Sequence, residues 1–361
     1  MGNKQARVIA FYLPQFHPIP ENDLWWGKGF TEWTNVGKAK SRFWGHYQPH
    51  VPADLGYYDL RVPEVREAQA QLAKEYGVEG FCYWHYWFGN GKRLLERPFN
   101  EVLASGKPDF PFCLAWANES WKGIHHGLKN RKVLIEQRYP GEEDYIAHFY
   151  EVLPAFKDER YIRVDGKPLF MIYKPLDNKK EILSFMDVWQ RLAEENGLPG
   201  IFFVGQTYAY DKQSEEIRGM GFSAINTVRM YDYERKEKFA SFFSKRLHSI
   251  LRRPYVIPYR LASKWFVSDV EAKEDVYPTV LPNWDHTPRS GIYGLVMKDA
   301  EPEYFDLHMK MAMRCVAEKA DEHRIIFVKS WNDWAEGNYL EPDLKYGLKY
   351  LEVISKHVMK K

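Results

Sequence analysis

The sequence predicts a (β/α)8 TIM-type barrel, and three observations lead there. Eight short apolar runs recur along the 361 residues. Several are followed by segments whose apolar residues fall at helical spacing. No glycine-rich nucleotide loop follows any of the runs, which weakens the alternative of an open, doubly wound sheet. Continuous apolar strands alternating with helices imply a parallel sheet covered on both faces, and eight such units suit a closed barrel. A single barrel domain over 1–361 is expected, because no internal repeat, low-complexity tract or compositional break marks a linker.

The expected strands are 8–12, 79–83, 112–116, 169–173, 201–205, 223–226, 277–281 and 325–329. Between them, 63–76 sets Val65, Ala68, Leu72 and Tyr76 on one helical face and stops at Gly77. The segment 145–153 aligns Ile146, Phe149, Tyr150 and Leu153. The next, 182–195, ends at Asn196–Gly197, a good helix stop. The last, 305–320, aligns Phe305, Met309, Ala312 and Val316. Residues 235–264 stand apart. They carry nine Lys/Arg against one acid, Glu237, with Phe239, Phe242, Phe243, Leu247, Ile250 and Leu251 interleaved. Two readings of this basic amphipathic insertion stay open: a segment packed on the barrel, or a peripheral contact with an anionic membrane.

Composition narrows the function. The net charge is +2, so no global field calls for nucleic acid. Aromatics make up 16% of the chain, many of them in polar surroundings, and flat ring faces beside carboxylates and amides are what a sugar cleft needs. Cys82, Cys113 and Cys315 have no paired spacing, which argues for a reducing compartment. The apolar run 8–13 is broken by Pro14, Pro18 and Pro20, and no stretch approaches the ~18–20 apolar residues of a membrane span. A cytoplasmic location is expected, with the inner membrane face as the alternative that 235–264 raises.

In barrels the chemistry gathers where strands run into the following loops. There the sequence reads "LPQFH", "WHYW", "ANESW", "QTY", "NWDHTPR" and "WNDWAEG". These place Tyr12, His85, Trp116, Asn118, Gln206, Trp284, Asp285, Arg289, Trp331, Asn332 and Trp334 as candidates for substrate contact. Glycosidic bonds are broken or exchanged by two carboxyl groups flanking the anomeric carbon. Asp333 and Glu336, three apart, would share one side if the loop turns helical, close enough to push their pKa values apart. The bland alternative is a capping box with Asp333 as N-cap. Glu119 is the third catalytic candidate, and Glu32 could line the cleft. Asp232 and Glu234 form a weak acid-x-acid pair. His46, His50, His85, His125, His126 and His286 invite a metal reading, but Pro49 and Pro52 spoil a ligand-bearing helix at 46–50. No metal and no cofactor are expected.

The stretches "AFYLPQFHPIPENDLWWGKGFTEWTNV", "GHYQPHVPADLGYYDLR", "GFCYWHYWF", "LAWANESW", "NWDHTPR" and "WNDWAEGNYLEPD" together resemble the WbsX family of polysaccharide-biosynthesis proteins, from about residue 8 to 350. Members are described as glycosyltransferases of O-antigen, lipopolysaccharide and capsule clusters, and as similar to glycoside hydrolase family 99, whose endo-α-mannosidases are (β/α)8 barrels. That hydrolase pattern, Asn-Glu-Trp-x-Glu-Gly followed by Glu-Pro, is met by Asn332, Trp334, Glu336, Gly337, Glu341 and Pro342. The resemblance implies that Glu336 is the general acid/base and Glu341 part of the site. It implies that the acid at 333 acts on the sugar's own 2-hydroxyl to give a 1,2-anhydro intermediate. Here that acid is aspartate, one methylene shorter. The resemblance thus implies an enzyme acting on glycosidic bonds of an oligosaccharide or glycolipid, by hydrolysis or transglycosylation. Nucleotide-sugar-dependent transfer and a catalytically silent glycan-binding barrel are the alternatives.

Overall fold

A computed structural model describes residues 4–123 and 132–359. Its centre is a closed barrel of eight parallel strands: β1 Arg7–Tyr12, β2 Gly80–Trp87, β3 Phe112–Trp116, β4 Lys167–Ile172, β5 Phe202–Thr207, β6 Ala224–Thr227, β7 Val276–Val280 and β8 Ile325–Val328. Neighbours follow chain order, and β1 closes the ring by pairing with both β2 (Ile9 opposite Gly80) and β8 (Arg7 opposite Ile325). Helices α1 Pro63–Glu75, α2 Arg97–Ser105, α3 Glu142–Lys157, α4 Lys179–Glu195, α5 Tyr210–Gly219, α6 Lys238–Leu251, α7 Pro302–Val316 and α8 Lys349–Val358 fall between and after the strands. The eight expected strands are all barrel strands. Of the four expected helices, 305–320 ends early at Val316, and α2, α5, α6 and α8 add to them.

Strand parity decides which side chains face the lumen. On β2, Trp84 stacks on Phe11 of β1 inside the barrel, with ring centroids 4.9 Å apart. The next residue, His85, points outward and meets His148 of α3 at 2.7 Å. Gln206 of β5, Asn226 of β6 and Thr279 of β7 form a buried polar chain, Gln206 donating to Asn226 at 2.8 Å and Asn226 to Thr279 at 2.8 Å. Each donor satisfied this way avoids the penalty of a buried, unmet polar group. Outside, Trp189, Phe185 and Phe156 of the helices pack on Phe170 of β4.

The sixth crossover departs from the pattern. A short turn, Asp269–Ala272, lies against β7 and α7 where a barrel helix would sit. Helix α6 instead leaves the barrel, with Ser241 its one buried residue. Within segment 235–264 the apolar side chains of α6 are exposed, whereas Ile257, Tyr259 and Ala262 are buried against Leu281, Trp284 and Met297. No helix among the described residues is long and apolar enough to cross a membrane.

Candidate active site

The strand ends open into a cleft of about 720 Å³, within the range of small-molecule sites. Its aromatic walls include Trp84, Tyr86, Tyr173, Tyr208, Tyr231 and Trp284, and Asp333, Glu336 and Glu119 all line it.

The two acids after β8 are held by a folded loop. Asn332 clamps it to the end of β1, accepting from the Leu13 N–H at 2.7 Å and donating to the Leu13 carbonyl at 3.0 Å. Strand pair Asn332–Asp333 and Asn338–Tyr339 encloses a single 3-10 turn, Trp334–Glu336. Gly337 closes the turn at φ +54, where an added Cβ would sit 2.7 Å from the Asp285 backbone nitrogen. Glycine is therefore required both by conformation and by close approach. Trp334 stacks on Tyr339 at 3.8 Å between centroids, which fixes the turn from below. Asp333 takes the N-cap position but makes no capping bond; its carboxylate goes to Arg289 instead.

Arg289, on the turn Thr287–Ser290 after β7, binds three carboxylates with three nitrogens. Nη1 donates to Glu336 Oε1 at 2.6 Å, Nη2 to Asp333 Oδ1 at 3.1 Å and Nε to Glu32 Oε2 at 3.2 Å. Lys329 Nζ lies 3.9 Å from Glu336 Oε2 and over the rings of Trp84 and Trp284. His286 Nε2 is 3.6 Å from Glu336 Oε1. Three carboxyl groups thus face two permanent cations, and one retained proton brings the cluster to neutrality. Burial pushes the Asp333 carboxyl well above the ordinary aspartate range, outweighing Arg289, and the neighbouring Glu336 charge adds to the rise. Burial also acts on Glu336, but Arg289, His286 and Lys329 together hold it below the ordinary glutamate range. Two carboxyls with opposite shifts are the electrostatic requirement of an acid–base pair. Across the cleft, Glu119 Oε2 is ion-paired to Lys174 Nζ at 2.7 Å.

Among the residues expected at substrate, Trp284, Arg289, Asp333, Glu336 and Glu119 meet in this cleft. The others are placed elsewhere. Tyr12 and His85 sit on the outward side of their strands, Tyr12 donating to Gln69 of α1 at 2.7 Å. Trp116 is buried against Phe185, its indole N–H bonded to the Trp87 carbonyl. Trp331 packs on Phe81, and Gln206 closes the barrel lumen. Asn118 spends both ends on Lys174 backbone groups. Glu341 accepts from Tyr58, Gln69 and the Trp334 indole, and burial lifts its carboxyl to about 7. Asp285 is enclosed by His46, Gln48 and Thr287 beside a separate polar cavity of about 70 Å³. Glu32 is fully buried behind Arg289 rather than in the cleft. Asp232 pairs with Arg229 and Arg235. His125 and His126 lie outside the described residues. No group of three or more potential metal ligands occurs among the described residues.

The sequence reading passed over Lys329, Tyr173, Tyr208 and Tyr231. Once the register of the ring is known, parity finds three of them: Tyr173 and Tyr208 each follow an inward residue of their strand by two positions. Lys329 follows Phe327 in the same way.

Three comparisons bear on this site. A family model described as Glycosyltransferase WbsX matches residues 8–354. The protein WxcX from one strain of Xanthomonas campestris pv. campestris is 38% identical over 354 residues, covering 96% of this chain; that from a second strain is 37% identical. The chain spans about half (49%) of the length of these curated relatives. Among solved structures, the GH99 endo-alpha-mannosidase from Bacteroides thetaiotaomicron superposes with a TM-score of 0.60 at 16% identity, over 97% of this chain and 96% of that one. A glycoside hydrolase-like protein reaches 0.59 at 14% identity, over 100% and 96%. At these identities the likeness is one of fold.

Proposed function

Since the chain belongs to the Glycosyltransferase WbsX family, we propose that it is an enzyme acting on glycosidic bonds of bacterial surface polysaccharide, with Asp333 and Glu336 as its paired carboxyls. The observation that carries this reading is the opposite polarisation of the two acids around Arg289 at the wall of an aromatic cleft. Asp333 holds a proton and stands ready to give it to the leaving glycosidic oxygen. Glu336, ionised, serves as nucleophile or base at the anomeric carbon. This reverses the roles that the family 99 resemblance assigns to the two positions, and it suits the shorter reach of aspartate. Trp84, Tyr173 and Tyr231 supply faces for sugar rings, and Glu119 with Lys174 offers polar partners to hydroxyls on the far wall. An endo-acting, mannosidase-like substrate is consistent with the open cleft.

Glu336→Gln tests the reading on O-antigen and capsule oligosaccharides. Turnover should fall about 10³-fold while the glycan dissociation constant stays within a few-fold of wild type. Unchanged binding in a wild type without any turnover would instead mark a silent glycan-binding barrel. Transfer from a nucleotide sugar is the second reading. The family description favours it, and so do the cations Arg289, Lys329 and Lys174, which could meet a diphosphate. Nucleotide release that depends on an acceptor glycan would select it.

A further inference from the structure

Helix α6 is amphipathic in the wrong direction for a globular surface. Its polar side faces the protein: Ser241 Oγ lies 3.0 Å from the Tyr255 hydroxyl, Ser244 Oγ donates to the Val256 carbonyl at 2.5 Å, and Lys245 pairs with Glu234 at 2.6 Å. Its apolar side faces solvent, with Phe239 85% exposed, Phe243 68% and Ile250 64%. Lys236 and Lys238 at its start, Arg246 within it and Arg252 at its end are exposed and enter no ion pair among the described residues. Such a patch calls for an occupant.

Two exposed aromatics on other loops are tied through their chain neighbours to the segment just past α6. The Arg253 guanidinium, just past α6, lies over the Phe43 ring at 6.0 Å, next to the 96% exposed Trp44. The Tyr255 backbone N–H donates to the Gly294 carbonyl at 3.1 Å, next to the 82% exposed Tyr293. Tyr293 also lines the cleft, so the patch and the cleft mouth adjoin.

We propose that α6, flanked by Trp44 and Tyr293, docks the chain on an anionic lipid bilayer with the cleft mouth at the headgroups. Fourteen residues of helix, ~21 Å at 1.5 Å per residue, lie in an interface rather than crossing it. Charge selects the bilayer over a second copy, because symmetric pairing would press the unpaired cations of the two copies together. Geometry selects it over a protein groove, which grips one helical stripe and leaves tips from separate loops unused. The docked cleft meets glycans carried on lipid; that consequence rests on the functional reading above, whereas docking does not.

Cosedimentation of the 361-residue chain with vesicles tests docking without any sugar. Vesicles of phosphatidylglycerol and phosphatidylethanolamine should bind it at low salt, and phosphatidylcholine vesicles should not. Phe239→Ser/Phe243→Ser/Ile250→Ser and, separately, Lys238→Glu/Arg246→Glu/Arg252→Glu should each weaken binding at least about tenfold. Both sets are at the surface, and unchanged thermal melts will verify the fold. Absent binding by wild type, or binding undiminished in both variants, overturns the proposal. So does a wild-type dimer in sedimentation velocity that the triple serine variant abolishes.

Discussion

Replacing Arg289 with methionine removes the counter-charge of three carboxyls at once, Glu32 and Asp333 buried and Glu336 partly so. Glu32 is fully buried, and the side chains of Asp333 and Arg289 are each about 7% exposed, so water replaces little of the lost interaction. Removing one partner of such a cluster costs about 3–5 kcal/mol. An unfolding entropy of ~2.1 cal/mol/K per residue, over 361 residues, converts this to a fall of ~4–7 °C in melting temperature. The loss depends on pH with a definite sign. In wild type, Glu336 lies below its unfolded value, so it contributes stability above that value and loses it as pH falls through the folded one. Asp333, raised above its unfolded value, costs stability as pH rises. Without Arg289 both carboxyls rise, and the variant loses stability steadily as pH climbs from the carboxylate range to neutrality. Melts followed by circular dichroism should therefore show the full deficit near pH 7.5 and less than about half of it near pH 4.5. An equal deficit at both pH values, or none near pH 7.5, would refute the charge-cluster explanation.

Asp333→Asn should remove the alkaline limb of the kcat/KM profile, because the group whose deprotonation causes it is gone; a retained limb assigns the proton elsewhere. Lys329→Met should shift the acidic limb to higher pH, since one of the cations holding Glu336 ionised is lost, as a pH–rate profile will read. Tyr231→Ala should raise KM about tenfold with kcat little changed, if its half-exposed ring stacks a sugar that the reacting centre does not use. Gly337→Ala should destabilise by ~1–3 kcal/mol, because neither the positive φ nor the contact with Asp285 accommodates a methyl group; an unchanged melt would show that the turn relaxes freely.

The barrel was legible because buried parallel strands write themselves as unbroken apolar runs, and all eight did so. Helix α2 was hidden by its brevity, nine residues, and α5 by its polar composition, since it buries only Tyr210, Ser214 and Ile217. At the site, the acids Asp333 and Glu336 were visible from their spacing, but the aromatic wall was misread by one residue. His85 and Trp116 were chosen at strand ends, whereas their neighbours Trp84 and Ala117 hold the inward parity. An apolar run without alternation carries no sign of which face is which, and only the register of the whole ring supplies it. Arg289 stood in the expected loop. Its tie to Glu32 spans 257 positions of sequence, a separation no local pattern records.

The most direct measurement is a crystal structure of the Glu336→Gln variant with a surface-polysaccharide oligosaccharide bound. The scissile oxygen should lie within hydrogen-bond reach of Asp333, the anomeric carbon should face residue 336, and a sugar ring should rest against Trp84 or Tyr173. An ordered glycan elsewhere, with Asp333 and residue 336 untouched, would contradict catalysis by this pair.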